Sequence, residues 1–114
     1  ERATEELSHR YDIVLLEGAG GLMVPLSEEF LTIDYVAQKG YPLLFVTSGK
    51  LGSINHTLLS LEAIKSRGIE LDTVLYNLYP TVEDRTIQED TQQFIQRYLQ
   101  KHFPETKFRT VPEL

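Results

Sequence analysis

The sequence contains no cysteine, which excludes disulfide bridges and thiolate metal sites. It has no apolar run long enough to span a bilayer. No basic segment followed by an apolar one opens the chain, as a signal peptide would require. Its histidines, His9, His56 and His102, lie far apart without the spacing of metal ligands, which argues against zinc. The lack of cysteine fits a reducing compartment, and we expect no membrane segment.

Basic residues are also scarce. The formal net charge is −6, the pI is near 5.0, and the lysines and arginines are scattered along the chain. This balance argues against nucleic-acid binding, which needs a basic patch or stripe. The acidic net charge is still compatible with a small anionic ligand, because the N–H groups at the amino end of a helix can bind an anion locally. With 114 residues, 41% hydrophobic and 25% charged, the chain fits one small domain or part of a larger one.

Apolar runs alternate with amphipathic segments. The runs "YDIVLLEG", "YPLLFVTSG", "LDTVLYN" and "KFRTVP" predict buried strands. The first ten residues read as the end of a helix, and "TIDYVAQKG" predicts a short helix with Thr32 as its cap and Gly40 just beyond its end. Strands that alternate with helices predict an α/β fold with a parallel sheet and right-handed crossovers.

Two longer helices are predicted with apolar stripes. Ser53 would cap the helix in "SINHTLLSLEAIKSRG" and Gly68 would close it. The second helix is "EDRTIQEDTQQFIQRYLQKHF". The residues expected on the two buried stripes are Ile54, Leu58, Leu61 and Ile64 in the first helix, and Ile87, Phe94, Ile95, Tyr98 and Leu99 in the second.

Candidate site residues follow the predicted strands. Glu17, Thr47–Gly49 and Asn77 each come at a strand's carboxyl end, and ligands of parallel α/β sheets bind beyond those ends. Five of the seven glycines lie in the two loops "EGAGG" and "SGKLGS". That concentration favours one shared site over two unrelated turns.

Each feature also has an ordinary explanation. Glu17 before glycines suits a Mg²⁺ ion near phosphates, but also a solvated turn. The helix start at Ser53 suits a carboxylate or phosphate, but also an ordinary capped helix. Asn77 offers a donor and an acceptor to the edge of an adenine, and it equally favours a turn.

Together, "EGAGGLMVPL" and "LGSINHTLLSLEAIKSRG" resemble dethiobiotin synthetase, and "VLYN" follows them in the same order as in that family. The resemblance runs from about Tyr11 to the end of the chain. It implies a P-loop NTPase-like parallel sheet flanked by helices, and a cytoplasmic, ATP-dependent ligase of biotin biosynthesis. The substrates it implies are 7,8-diaminopelargonate, carbon dioxide and ATP, with Mg²⁺ as cofactor.

The resemblance also implies roles for individual residues. Glu17 would help to hold Mg²⁺, and the carboxylate of the diamine would bind at a dimer interface. The nucleotide-binding residues it implies are Glu17, Gly18, Ala19, Gly20, Asn77, Pro112, Glu113 and Leu114. The substrate-binding residues are Thr47, Leu51, Gly52, Ser53, Ile54 and Asn55.

The sequence departs from the family in two places. It has no G-x-x-x-x-G-K-T pattern, and it has no upstream lysine and aspartate for the carbamate and metal. The family often carries a tyrosine on the helix after the adenine-binding asparagine, where this chain reads Gln88–Glu89–Asp90.

We therefore expect residues 1–114 to be the carboxyl-terminal part of a single P-loop-type domain, inactive alone and part of a homodimer when complete. Two alternatives stay open. One is a non-catalytic α/β dimerisation or binding module, and the other is a related P-loop ATPase with another substrate.

Overall fold

The computed structural model describes residues 2–18, 20–50, 52–78 and 85–112. Its residues group into two units, 1–33 and 34–114, which we describe separately. Within the described residues, no helix is both long and apolar enough to cross a membrane.

The first unit contains a helix and a small hairpin. Helix α1 spans Arg2–Arg10, as the sequence predicts. Strands β1 (Pro25–Ser27) and β2 (Phe30–Leu31) pair antiparallel, and the sequence analysis missed this hairpin. Helix α2 (Thr32–Lys39) begins directly after β2.

The prediction of a buried strand over "YDIVLLEG" is wrong. Residues 11–18 form no strand, and the side chains of Ile13 and Leu15 are 81% and 79% exposed. A run of apolar and β-branched residues favours a strand, but the strand forms only when a neighbour supplies its ladder and covers its side chains. Glu17 therefore follows an irregular, exposed segment rather than a buried strand.

The second unit is built on a parallel sheet. Strands β3 (Leu43–Ser48), β4 (Leu71–Asn77) and β5 (Lys107–Val111) lie in that order and pair in parallel. Helix α3 (Ser53–Ser66) connects the first two strands, and α4 (Arg85–His102) connects the last two. These elements confirm the predicted α/β class and place a three-stranded parallel sheet with helices at the centre of the unit.

The buried face of α3 differs from the predicted stripe. Thr57, Leu61 and Ile64 are fully buried, whereas Leu58 is half-buried and Ile54 is 38% exposed. The true stripe is rotated so that a threonine takes the place expected for Ile54. The helix ends in a Schellman motif, because Gly68 (φ 65°) donates to the Lys65 carbonyl and Ile69 donates to the Ile64 carbonyl.

The buried face of α4 is shifted in the same way. Thr91, Ile95 and Leu99 are buried, which confirms two of the predicted positions. Ile87 and Phe94 are 57% and 43% exposed, so their prediction as core residues is wrong. The sequence shows an apolar arc wider than the sheet covers, and periodicity alone does not say which edge of that arc is buried.

Tyr76 lies on the central strand with its side chain fully buried, and its ring centroid is 6.1 Å from that of Phe108. Among the described residues, its hydroxyl has no hydrogen-bond partner. Burial raises the pKa of this hydroxyl above its ordinary value of 10.0, because desolvation disfavours the charged form.

We expect Tyr76→Phe to raise the free energy of unfolding at pH 7 by about 1 kcal/mol, since an unsatisfied buried hydroxyl costs about 1–3 kcal/mol. The folded-state pKa of Tyr76 is the higher one, so the wild type loses stability as pH rises above the unfolded value. The variant lacks that loss. Urea unfolding of both proteins at pH 7 and at about pH 11 checks both effects. A variant less stable at pH 7 would show that the hydroxyl makes a useful bond.

Candidate functional site

Several predicted site residues meet at the carboxyl ends of the parallel strands. Asn77, the last residue of β4, is paired in register with Ser48 of β3 and Val111 of β5. Pro112 follows directly and is exposed, and Leu78 donates its N–H to the Val111 carbonyl over 2.9 Å. The structure therefore places Asn77 beside Ser48, as the sequence predicts for this edge, and Pro112 follows the neighbouring strand end.

The loop from β3 to α3 opens onto the same edge. Gly52 has φ 85°, a left-handed conformation that side chains rarely adopt, and α3 starts at the next residue. Ser53 donates its N–H to the Lys50 carbonyl over 2.9 Å, and His56 donates to the Gly52 carbonyl over 3.1 Å. These bonds form a turn that leads the chain into the helix.

Among the residues that the structure describes, no side chain caps the amino end of α3. The prediction that Ser53 caps it is wrong, because its hydroxyl faces the end of β3, 3.4 Å from the Ser48 hydroxyl. Within the described part of the chain, the N–H groups of Ile54 and Asn55 have no acceptor. Uncapped N–H groups at a helix start, with the helix dipole behind them, attract an anion.

Thr47 lies one residue before the end of β3, and its hydroxyl is 2.6 Å from that of Thr57 in α3. Sequence reasoning overlooked Thr57. A signal was present, because Thr57 precedes Leu61 and Ile64 by four and seven residues and so belongs on their face. A polar residue on a buried helical face needs a partner, and the end of the preceding strand supplies it here.

In the first unit, Glu17 and Gly18 are exposed. A Cβ atom on Gly20, where φ is 90°, would lie 3.0 Å from the Val24 side chain, so the loop is shaped for glycine. The carbonyls of Leu22 and Val24 accept the N–H groups of Ile33 and Thr32 over 2.8 and 2.9 Å.

The prediction that the Thr32 side chain caps α2 is therefore wrong. Its hydroxyl donates to the Val24 carbonyl over 3.2 Å, while backbone carbonyls of the loop satisfy the start of the helix. The loop after Glu17 is thus tied to the start of α2 by three hydrogen bonds.

Four predicted site residues lie outside the described residues: Ala19, Leu51, Glu113 and Leu114. Elsewhere in the second unit, an open groove of about 460 Å³ is lined by Glu70, Asp72, Glu105 and Lys107 among others. It lies at the amino ends of β4 and β5, opposite the edge that carries the predicted residues. Size alone does not identify a functional site, so we favour the edge with convergent polar groups.

The parallel sheet with its connecting helices places this unit in the class of open α/β folds, in which ligands bind beyond the carboxyl ends of the strands. Residues 1–112 match the family model described as an AAA domain. The chain belongs to this AAA domain family, which confirms the predicted P-loop-type fold class.

The chain is also homologous to ATP-dependent dethiobiotin synthetases. It is 53% identical over 111 residues to "ATP-dependent dethiobiotin synthetase BioD 2" of Pasteurella multocida, covering 97% of the chain and 52% of that protein. The protein of the same name from Haemophilus ducreyi is 50% identical over 107 residues, covering 94% and 50%. "ATP-dependent dethiobiotin synthetase BioD" of Chlorobaculum tepidum is 48% identical over 101 residues, covering 89% and 42%. The chain spans about half the length of the curated relatives it matches.

Proposed function

We propose that this chain serves as part of an ATP-dependent dethiobiotin synthetase. The observation that carries the proposal is the sequence identity of 53% and 50% to two dethiobiotin synthetases. The matched regions cover nearly the whole chain and include both glycine loops. In the reaction, one amine of 7,8-diaminopelargonate takes up carbon dioxide as a carbamate. ATP phosphorylates the carbamate, and the second amine then attacks its carbon. The ureido ring closes as phosphate leaves.

The uncapped start of α3 is suited to the carboxylate of the diamine. The N–H groups of Ile54 and Asn55 would donate to its oxygens, and the half-buried side chain of Ser53 borders the same turn. Gly52 allows close approach of the backbone. The substrate-binding set that we propose is Thr47, Leu51, Gly52, Ser53, Ile54 and Asn55.

ATP is the proposed nucleotide. Asn77 would contact the adenine with its amide, and it lies beside the strand end that leads to Pro112. Gly18 and Gly20 are small enough to let backbone N–H groups approach a phosphate. The nucleotide-binding set that we propose is Glu17, Gly18, Ala19, Gly20, Asn77, Pro112, Glu113 and Leu114.

Mg²⁺ is the proposed metal, and the donor chemistry of Glu17 fits it. Glu17 is an exposed carboxylate, and Mg²⁺ bound near phosphates commonly uses one or two carboxylates with waters. The described residues contain no group of three or more His, Cys, Asp or Glu side chains arranged for a metal, so Glu17 would act with phosphate oxygens and water. The metal would neutralise charge that develops on the phosphates.

We also propose a homodimer in the cytoplasm. In the second unit, Ile54 and Leu59 leave apolar surface exposed along α3, and Leu59 is 59% exposed. A twofold partner against the start of α3 would place two equivalent sites at one interface.

A chimera tests the proposed activity. The chain would replace the segment that it matches in the Pasteurella multocida relative, and the parent protein would serve as the positive control. We expect dethiobiotin to form from the diamine, bicarbonate and ATP within about tenfold of the parent rate, a loss of no more than about 1.4 kcal/mol. A folded chimera that hydrolyses ATP without forming dethiobiotin would instead support an ATPase with another substrate.

A further inference from the structure

One short hydrogen bond links the end of β3 to the first turns of α3. The hydroxyl oxygens of Thr47 and Thr57 are 2.6 Å apart. The only other side-chain contact described between these segments, Ser48 to Ser53, is 3.4 Å and lies at the limit of hydrogen bonding. Thr57 is 0% exposed, so its hydroxyl depends on the partner that it has.

The bond lies where the helix most needs support. No side chain of the described residues caps the start of α3, and Gly52 before it adds no side-chain packing. Thr57 is about one helical turn beyond Ser53, and a β-branched residue in a helix has few side-chain rotamers. A short bond from such a residue to the strand therefore restrains the first turn of α3 in two ways. It limits movement of the turn along the helix axis and rotation of the turn about that axis.

We propose that Thr57 is a positioning residue, which acts through Thr47 to hold the amino end of α3 where a substrate carboxylate binds. This inference rests on the proposed function for the identity of that ligand. Thr57 does not touch the ligand itself, because its side chain is wholly buried. Within the proposed substrate-binding set, Thr47 would then act through Thr57 rather than by contact with the ligand, since its hydroxyl is bonded to that of Thr57.

The two hydroxyls differ in exposure, and this predicts an asymmetry between variants. Thr57→Val leaves the half-buried Thr47 hydroxyl, which water can reach. Thr47→Val leaves the fully buried Thr57 hydroxyl unsatisfied, which is the more damaging outcome. The double valine variant removes both hydroxyls while keeping their shape, so it should lose the penalty of the unsatisfied Thr57 hydroxyl and return to the level of Thr57→Val, which also lacks the bond.

The test measures steady-state kinetics in the chimera. Thr57→Val should raise the KM for the diamine about tenfold, while the KM for ATP and kcat change less than about twofold. Thr57→Ser keeps the hydroxyl and should restore the KM. Thr91→Val is the matched control, because Thr91 is also buried but donates within α4 to the Ile87 carbonyl. We expect no change in either KM for the control.

Each alternative outcome is decisive. If Thr57→Val lowers thermal stability but leaves the KM for the diamine unchanged, the bond is only structural and the inference is wrong. If the double variant keeps the full loss of Thr47→Val instead of returning to the level of Thr57→Val, Thr47 contacts the substrate directly, and the inference again fails.

A second readout separates this inference from the proposed function. If the chimera is folded but makes no dethiobiotin, the proposed function fails, and amide hydrogen exchange still tests the positioning at Ser53 and His56, whose N–H groups donate to the Lys50 and Gly52 carbonyls. Exchange there should be at least about threefold faster in Thr57→Val than in wild type and unchanged in Thr91→Val. Equal exchange in all three proteins would overturn the inference.

Discussion

Glu17→Gln in the chimera is expected to lower Mg²⁺-dependent formation of dethiobiotin at least about a hundredfold. Glutamine keeps the size and one oxygen but removes the charge that favours the metal. A bound metal supplies several kcal/mol of charge stabilisation, and each 1.36 kcal/mol is a factor of ten in rate. Because Glu17 is exposed, we expect the free energy of unfolding to change by less than about 0.5 kcal/mol. The measurement is a set of initial rates over a range of Mg²⁺ concentrations.

Glu29→Gln is the matched control for this prediction. Glu29 is also an exposed carboxylate of the first unit, in the turn between β1 and β2. We expect the Glu29→Gln variant to form dethiobiotin at the same rate as the unmodified chimera. A Glu17→Gln variant that turns over normally at every Mg²⁺ concentration would return Glu17 to the role of a solvated turn residue.

Ile95→Ala is expected to lower the free energy of unfolding of the chain by about 2–5 kcal/mol. Ile95 is 1% exposed on α4, and truncation of a buried isoleucine loses transfer free energy and leaves a cavity. Ile87→Ala makes the same chemical change on the same helix at a position that is 57% exposed. We expect that variant to lie within about 0.5 kcal/mol of wild type.

Urea unfolding followed by circular dichroism measures both changes. The comparison also discriminates between the two faces of α4, because the sequence alone predicts both residues to be buried. Equal losses for the two variants would mean that the described orientation of the helix is wrong.

The second unit was largely predictable from the sequence because its signals are local. The apolar runs that became β3 and β4 are short and end at polar or glycine residues, and Gly68 closes α3 as expected. The order of strands and helices then gives a parallel sheet, and parallel strands place Ser48 and Asn77 at the same edge.

The remaining features depend on contacts that a local pattern does not contain. "YDIVLLEG" has the composition of a strand, but pairing decides whether a strand forms. Thr32 and Ser53 are good capping residue types, but loop carbonyls satisfy the start of α2, and the Ser53 hydroxyl faces β3. The rotation of α3 and α4 against the sheet decided which apolar residues are buried.

Thr57 shows how a positioning residue escapes a search for chemistry-bearing side chains. Its environment is set by Thr47, which is ten residues earlier in sequence and on another element. The uncapped helix start that the pair supports is equally invisible in the sequence, because Ser53 has the residue type of a cap. Both features depend on how α3 packs against the end of β3, and only the structure gives that arrangement.

The central claim is that the start of α3 receives the carboxylate of a diamine substrate. The most direct measurement is a titration of the ¹⁵N-labelled chimera with 7,8-diaminopelargonate and, separately, with its methyl ester. We predict that the acid shifts the amide resonances of Ile54 and Asn55 and that the ester, which lacks the negative charge, shifts them far less. Equal shifts with both compounds, or shifts confined to other residues, would contradict the claim.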